Sequence, residues 1–428
     1  MKICTIGLGY IGLPTSVMFA QNGVDVVGVD INPNIVEALN KGDVHIEEPG
    51  LAEALRMVVQ NGQFRASLFT EQADAFIISV PTPNAEDTYR SCDISIVLQG
   101  LKQIIPHLSK GNTIIVESTI APRTTEDEIV PMIEQAGWKV GEDIFVVHCP
   151  ERVLPGQILH ELIYNNRIVG GVTSACADAG ADLYKIFVKG EIVKTNAKTA
   201  EMSKLIENTF RDVNIALSNE LAKLCIELDI NVYDVIQMAN KHPRVNLLQP
   251  GPGVGGHCLA VDPYFIVAKS PETAQIIKTA REVNRSMPHF IIEQVNALLE
   301  PISRPKIVVF GITYKANVDD IRESPALEII KQLKEAGTHV NIYDPHVHNG
   351  FFEDLSIEEA IDGAHMILLL TDHDEFKSIN YDALAERMEL PLLLDTRHCI
   401  DTEQWHNMAV VNLGNIQAFQ EQLNALNA

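Results

Sequence analysis

The sequence is short of positive charge. Against 57 Asp and Glu it carries 33 Lys and Arg, a formal net charge of -24. Such a balance repels phosphate backbones and anionic lipid, which argues against a bulk nucleic-acid or membrane role. A small anionic ligand stays within reach, because a few placed Arg and Lys override the mean field locally. There is no CxxC pair, and the seven cysteines are an odd, scattered set, which suits a reducing cytoplasm better than a disulfide framework. No unbroken apolar run of about eighteen residues occurs, so no membrane span is expected. The first twenty residues could pass for a secretory signal, but three glycines and a proline interrupt them. HELIY at 160 to 164 lacks the second histidine of a zinc-protease helix. The pair His346 and His348 has no third ligand at helix or finger spacing, and no metal is expected.

What is present is 428 residues, 46% hydrophobic and 21% charged, the composition of a soluble globular protein. That length implies two or three domains. Residues 2 to 7 read as a buried strand, Pro14 to Gln21 as a helix and Val24 to Val29 as the next strand, which makes a βαβ unit. Further apolar strands follow at 74 to 80, 113 to 119 and 144 to 150, and this alternation argues for a parallel sheet covered on both faces. From Lys198 the pattern turns to long helices, through Leu228 and again from Thr273 to Leu299, around a Pro- and Gly-rich stretch at 240 to 263. Strand and helix alternation resumes at Lys306 with KIVVFGITYK. The expected architecture is α/β: two Rossmann-like, doubly wound parallel-sheet domains at 1–196 and 301–428, joined by a helical region at 197–300.

GLGYIG, with Gly7, Gly9 and Gly12, matches GxGxxG between a strand and a helix. The first glycine permits the tight turn, the second lets backbone approach a pyrophosphate, and the third lets helix and strand pack closely. The helix N-terminus offers amides and a partial positive charge to the phosphates. Asp30 ends the second strand, where a carboxylate accepts ribose hydroxyls and repels a 2′-phosphate, favouring NAD over NADP. FAD would need a second signature that the chain lacks, and the third region has no GxGxxG at all.

PGVGGHCLAVD at 252 to 262 sets Cys258 behind paired glycines and a histidine, four positions before Asp262. A thiol reacts as thiolate, so its neighbours decide its reactivity. Cys258 is either a small buried hydrophobe, as Cys4 and Cys225 are expected to be, or a nucleophile; the flanking glycines favour the second, since a core position does not need them. Lys204, Asn208 and Arg211, spaced four and three apart, share one face of a helix. They form either a solvated stripe or a site in which the lysine stabilises an alkoxide or acts as base.

In this order, GLGYIGLP, EPGL (48 to 51), VPTP (80 to 83), EST (117 to 119), the lysine-asparagine helix, GGHC, and K-x3-DD-x-R-x-SP from Lys315 to Pro325 resemble the UDP-glucose/GDP-mannose dehydrogenase family over nearly the whole length. Within it, CPERVLPG (149 to 156), ENTFRDVNIA (207 to 216) and HPRVNLLQPGPGVGGHCLAVDP (242 to 263) are most similar to members acting on UDP-N-acetyl-D-mannosamine. Glucose-oxidising members typically carry PEFL and GGSC at the corresponding places.

The resemblance implies oxidation of a sugar-nucleotide primary alcohol to a carboxylate, using two NAD and one water, through a thiohemiacetal and a thioester on Cys258. It implies Lys204 as acid/base or oxyanion partner, Asn208 and Asp262 orienting hydroxyl and water, and Glu151 assisting hydrolysis. It places NAD against Tyr10, Ile11, Asp30, Thr82, Thr119 and Arg322. It places the sugar nucleotide against Arg152, Val153, Lys204, Asn208, Arg211, His242, Arg244, Gly255, Tyr314, Lys315 and Arg397. It implies a cytoplasmic homodimer through the central helices, with Arg244 reaching the partner's site. Arg322 has the plainer alternative of pairing with Asp319 or Asp320, and His242 that of a loop residue. A family member oxidising UDP-N-acetylglucosamine or UDP-glucose at C6, a two-electron 3-hydroxyacid dehydrogenase and a nucleotide sensor without turnover are the competing functions.

Overall fold

The computed structural model describes residues 1–427 except Pro155, Pro301, Asn349 and Phe351, with side chains through Gln422. The chain divides into two compact units. The first comprises Met1–Glu207 and Tyr264–Thr273, the second Asn208–Pro263 and Ala274–Ala428.

In the first unit an eight-stranded sheet is built from β1 (Lys2–Ile6), β2 (Asp25–Val29), β3 (Phe64–Ser67), β4 (Ala75–Ile78), β5 (Thr113–Val116), β6 (Phe145–His148), β7 (Arg167–Gly171) and β8 (Ile192–Asn196). Its order is β3-β2-β1-β4-β5-β6-β7-β8. All pairs are parallel except β6 and β7, where Val147 opposes Gly171. The strands are short apolar runs because both faces are covered. Ile3, Val26, Ile77, Ile115 and Val147 belong to one core. Their neighbours Cys4, Val27, Phe76, Ile114 and Val146 belong to another. This is the period-two alternation of a strand buried on both sides.

In the second unit β9 (Lys306–Phe310), β10 (His339–Tyr343), β11 (Met366–Leu369), β12 (Leu392–Asp395) and β13 (Ala409–Asn412) form an all-parallel sheet in the order β10-β9-β11-β12-β13. Val308, Ile367 and Leu393 point into one core. Ile307, Val309, Leu368 and Leu394 point into another, shared with Ala222, Cys225, Ile291 and Leu299 from the long helices. Those helices run Ala197–Glu227 and Gln275–Leu299, within a residue or two of the sequence expectation. Cys4 and Cys225 are buried, as a small apolar side chain should be.

Candidate active site

In the first sheet the strand order reverses between β1 and β4, the switch point at which open α/β sheets take ligands. The turn from β1 into helix Gly12–Gln21 lies there. Gly7 has φ 92°, and a Cβ on it would lie 2.4 Å from the Ser79 carbonyl oxygen. A Cβ on Gly12 would sit 1.9 Å from the Gly7 carbonyl oxygen, whereas over Gly9 nothing comes within 4 Å. Packing therefore compels the outer two glycines, and the middle one leaves an open cradle. The helix has no acidic residue in its first turn and no side-chain cap, so its N-terminal field is available to an anion. Asp30 is fixed at the same turn, its carboxylate accepting from the Leu8 amide at 3.2 Å and the Asn32 amide at 2.9 Å. Beyond β4 and β5, Thr82 Oγ1 donates to the Thr119 carbonyl at 2.6 Å and Ser118 Oγ to the Val80 carbonyl at 2.7 Å, stitching VPTP to EST. These residues fit a dinucleotide.

The same unit carries CPER after β6. Glu151 accepts from Arg167 at 2.5 Å and from the Arg152 amide at 2.7 Å. Arg152 pairs with Glu207 at 2.7 Å and donates to the Asn166 carbonyl, while Val153 packs against the core. Lys204 is half-buried on the long helix.

The thiol belongs to the second unit. The Cys258 carbonyl accepts from the Asp262 amide at 2.8 Å, one turn before helix Asp262–Lys269. Thiol and carboxylate thus follow each other at helical spacing. Asp262 is buried and accepts from Asn208 Nδ2 at 2.6 Å. The preceding glycines are sterically required. A Cβ on Gly255 would meet the Glu323 carbonyl oxygen at 2.4 Å, and one on Gly256, whose φ is 83°, the Tyr314 ring at 2.8 Å. Gly256 N–H donates to the Arg322 carbonyl at 3.1 Å, and Glu323 itself has φ 51°. Burial pushes the Tyr314 phenol up; Asp320 and Cys258 push the same way and Arg322 opposes them. Burial would raise Asp320 as well, but hydrogen bonds from Arg322, its charge and that of His257 outweigh it and hold the carboxyl below its usual range. Farther back in the loop, a Cβ on Gly251 would lie 2.7 Å from Arg397 Nη1, and Arg397 Nε donates to Asp372 at 3.0 Å.

Three family models tile the chain: the NAD binding domain of the UDP-glucose/GDP-mannose dehydrogenase family over residues 1–188, its central domain over 198–286 and its UDP binding domain over 308–402. The chain belongs to this family. It is 46% identical over 411 residues to a UDP-N-acetyl-D-mannosamine dehydrogenase of Methanococcus vannielii, covering 94% of each chain. It is 45% identical over 410 residues to an NDP-N-acetyl-D-galactosaminuronic acid dehydrogenase of Ralstonia solanacearum, covering 92% of this chain and 95% of that one. Among solved structures, a UDP-N-acetyl-mannosamine dehydrogenase from Staphylococcus aureus matches with TM-score 0.90 and 53% identity over 98% of this chain and 100% of the other. Family membership makes the protein an NAD-dependent dehydrogenase, and the glycine cradle with Asp30 is where the cofactor fits.

Within each unit of this dehydrogenase the expected residues fall into sets. Gly7, Gly9, Tyr10, Ile11, Gly12, Asp30, Thr82 and Thr119 follow strand ends β1, β2, β4 and β5 of the first sheet. In the second unit Gly255 packs against Tyr314, Gly256 donates to the Arg322 carbonyl, and Cys258 and Asn208 both meet Asp262. Arg397 follows β12 and Lys315 is exposed beyond β9. Arg211, His242 and Arg244 are exposed. Arg322 does bind Asp320, Nη2 to Oδ2 at 2.6 Å, the plainer of its two readings. His242 also behaves as a loop residue, its Nδ1 accepting from the Arg244 amide at 3.3 Å.

His346 does have company: ligand atoms of His346, His373 and Glu375 lie within 4.8 Å of one another, a cluster assembled across 29 residues that local spacing does not show. His348 turns instead towards Asp354, at 3.5 Å. Buried His373 accepts the Asn317 amide on Nδ1 at 2.9 Å, which leaves Nε2 as the N–H facing Asp344 at 3.2 Å. To ligate through Nε2, an imidazole so held would have to give up its one N–H proton or move it to Nδ1 and break the Asn317 bond. The trio is better read as a hydrogen-bonded support of the second sheet.

The sequence reading missed a buried ionic group in the first unit: Glu117, Arg167 and Tyr184 around Glu151. A signal existed, since Glu117 closes the apolar run TIIV and Arg167 opens the apolar run IVGG. Charges at the ends of buried strands need partners.

Proposed function

We propose that the protein oxidises UDP-N-acetyl-D-mannosamine at C6 to UDP-N-acetyl-D-mannosaminuronate, consuming two NAD and one water. The carrying observation is the construction around Cys258: a thiol at the end of a loop whose glycines admit no side chain, one turn before a buried Asp262 held by Asn208. A core cysteine needs none of this. Relatives bearing that substrate's name support the sugar assignment.

Residues 1–196 hold NAD, 197–300 carry the reacting groups, and 301–428 hold the UDP moiety. Bound NAD supplies the hydride acceptor for both oxidations. Gly7, Gly9, Tyr10, Ile11, Gly12, Asp30, Thr82, Thr119 and Arg322 bind it. Arg397 and Lys315 counter the diphosphate. Arg152, Val153, Arg211, His242, Arg244, Gly255 and Tyr314 complete the substrate's surroundings. Asn208 and Asp262 orient the C6 hydroxyl, and Lys204 steadies the alkoxide or takes its proton. After the first oxidation the Cys258 thiolate adds to the aldehyde carbon, giving a thiohemiacetal, which is again an alcohol. After the second, the acyl group rests on sulfur as a thioester. Water then attacks, its proton passes to Glu151, and the thiolate leaves.

Among the described residues no helix is long and apolar enough to cross a membrane, and we assign the enzyme to the cytoplasm. The homodimer reading rests on Phe210, Leu217 and Leu224, which are 67%, 51% and 45% exposed at heptad spacing on one helix. Arg244 is offered to the partner's site. Incubation with NAD and UDP-N-acetylmannosamine, UDP-N-acetylglucosamine or UDP-glucose should yield two NADH per uronate, with the first sugar preferred. One NADH per product, or equal turnover of all three, would defeat the proposal.

A further inference from the structure

We propose that Arg167 is the positioning residue of Glu151, aiming its carboxylate for thioester hydrolysis, and that Glu117 is the rival anion that sets how tightly Arg167 holds it. The inference rests on the assignment of Glu151 given above. The geometry lies wholly within the first unit. The Arg167 side chain is 5% exposed, that of Glu117 0% and that of Glu151 9%. One nitrogen, Arg167 Nη2, reaches Glu151 Oε2 at 2.5 Å and Glu117 Oε1 at 3.2 Å. Arg167 Nε faces Cys149 Sγ at 3.3 Å, and the guanidinium carbon lies 4.2 Å from the Tyr184 ring centroid. Tyr184 Oη donates to Glu117 Oε1 at 2.6 Å. The cation is therefore fixed on three sides, and the direction of the Glu151 carboxylate is fixed with it.

The backbone carrying Glu151 is held separately. Glu48, from the EPGL motif, accepts from the Gly156 and Ile158 amides, both at 2.7 Å, and Glu161 accepts from the Leu154 amide at 2.7 Å. Loop position and carboxylate direction thus have different causes. The charges also do not balance, for one guanidinium stands against two carboxylates in a buried pocket. Two ionised carboxylates there are costly, and the pair sheds charge by keeping a proton on one of them. Burial pushes Glu117 up to about 7, with Arg167 opposing and Glu151 adding. A buried ion group of this kind is a weak device for stability alone. It is suited to holding the Glu151 carboxylate in place.

The test uses the full chain and reads the hydrolysis step apart from the oxidations. Burst amplitude of NADH, acylated Cys258 at steady state by mass spectrometry, and the acid limb of kcat against pH are followed in four variants. Arg167→Gln is expected to slow thioester hydrolysis by about 100-fold, the loss from a roughly 1 Å misplacement of a catalytic group. It should accumulate the adduct, lower kcat and KM together so that kcat/KM for the sugar nucleotide is unchanged, and move the acid limb to higher pH. Arg167→Lys keeps the charge and should recover part of the rate. Glu117→Gln fixes the rival group in its neutral form at nearly constant shape; it should abolish the change in hydrolysis that Glu117 ionisation imposes near pH 7 and leave the acid limb below it unmoved. Its folding does not depend on an uncompensated buried charge, so it decides the matter should the Arg167 variants fail to fold. A purely structural role would slow every step alike and would leave the pH profile unchanged in every variant; either result overturns the inference. Glu151→Gln separates the two layers. Unchanged hydrolysis in that variant removes the role of Glu151 and this inference together, whereas slow hydrolysis there with unchanged pH profiles in the others removes only the inference.

Discussion

Replacing Gly256 with alanine tests whether the loop geometry, and not merely the thiol, makes the site. At φ 83° an L-residue costs about 1–2 kcal/mol. The new methyl would also lie 2.8 Å from Tyr314 Cε2 and 2.9 Å from Cδ2, and overpacking of this sort costs roughly 1–3 kcal/mol. Together about 2–5 kcal/mol of strain falls on a segment whose Gly256 N–H donates to the Arg322 carbonyl at 3.1 Å and whose His257 faces Asp320 at 3.9 Å. Backing the loop away from Tyr314 relieves that strain while the sheet beneath stays folded. The expected outcome is a kcat loss of about 100-fold or more from misplacing Cys258 by roughly 1 Å. The thermal midpoint should stay within a few degrees. Steady-state kinetics with a melting curve decide it. If Gly256→Ala keeps kcat within about threefold, the claim that this loop is compelled is wrong, because the stated strain would then be absorbed without moving the nucleophile.

Other outcomes follow from the same coordinates. Asp30→Asn should weaken NAD by about 10-fold to 100-fold, the worth of charge-assisted hydrogen bonds, and narrow the preference over NADP, as measured by titration with each dinucleotide. His148 is fully buried, and burial holds its pKa down at about 3 against an opposing backbone hydrogen bond at Val116. Its folded pKa lies below the unfolded value of 6.5, so the stability it contributes is present above pH 6.5 and is lost as pH falls towards 3. His148→Leu should flatten the acid side of the stability curve by up to about 1.4 kcal/mol per pH unit within that window, in urea unfolding from pH 7 to 4. Phe210→Glu with Leu217→Glu should convert the proposed dimer to monomer in sedimentation; an unchanged sedimentation coefficient would place the interface elsewhere.

The nucleotide half was legible in the sequence because its parts are local. Gly7, Gly9 and Gly12 sit in one turn, the outer two compelled by packing and the middle one left open, and Asp30 follows the strand beside them. Cys258 and Asp262 were legible as well, being one helical turn apart. The group around Glu151 was not. Arg167 meets Glu151 across 16 residues and Glu117 across 50, so its assembly depends on which strands lie side by side. That order, including the antiparallel pairing of β6 and β7 beside Arg167, is not written in any local pattern. The histidines make the same point. His346 and His348 look like a pair in sequence, yet the register of the second sheet sends one towards His373 and Glu375 and the other towards Asp354.

The most direct test of covalent chemistry at Cys258 is a single-turnover experiment with enzyme in excess over UDP-N-acetylmannosamine, quenched in acid and digested. The peptide containing Cys258 should carry the acyl-sugar mass before uronate appears, and Cys258→Ser should form no uronate while still binding both ligands. An unmodified peptide throughout, together with full uronate formation by Cys258→Ser, would contradict the account.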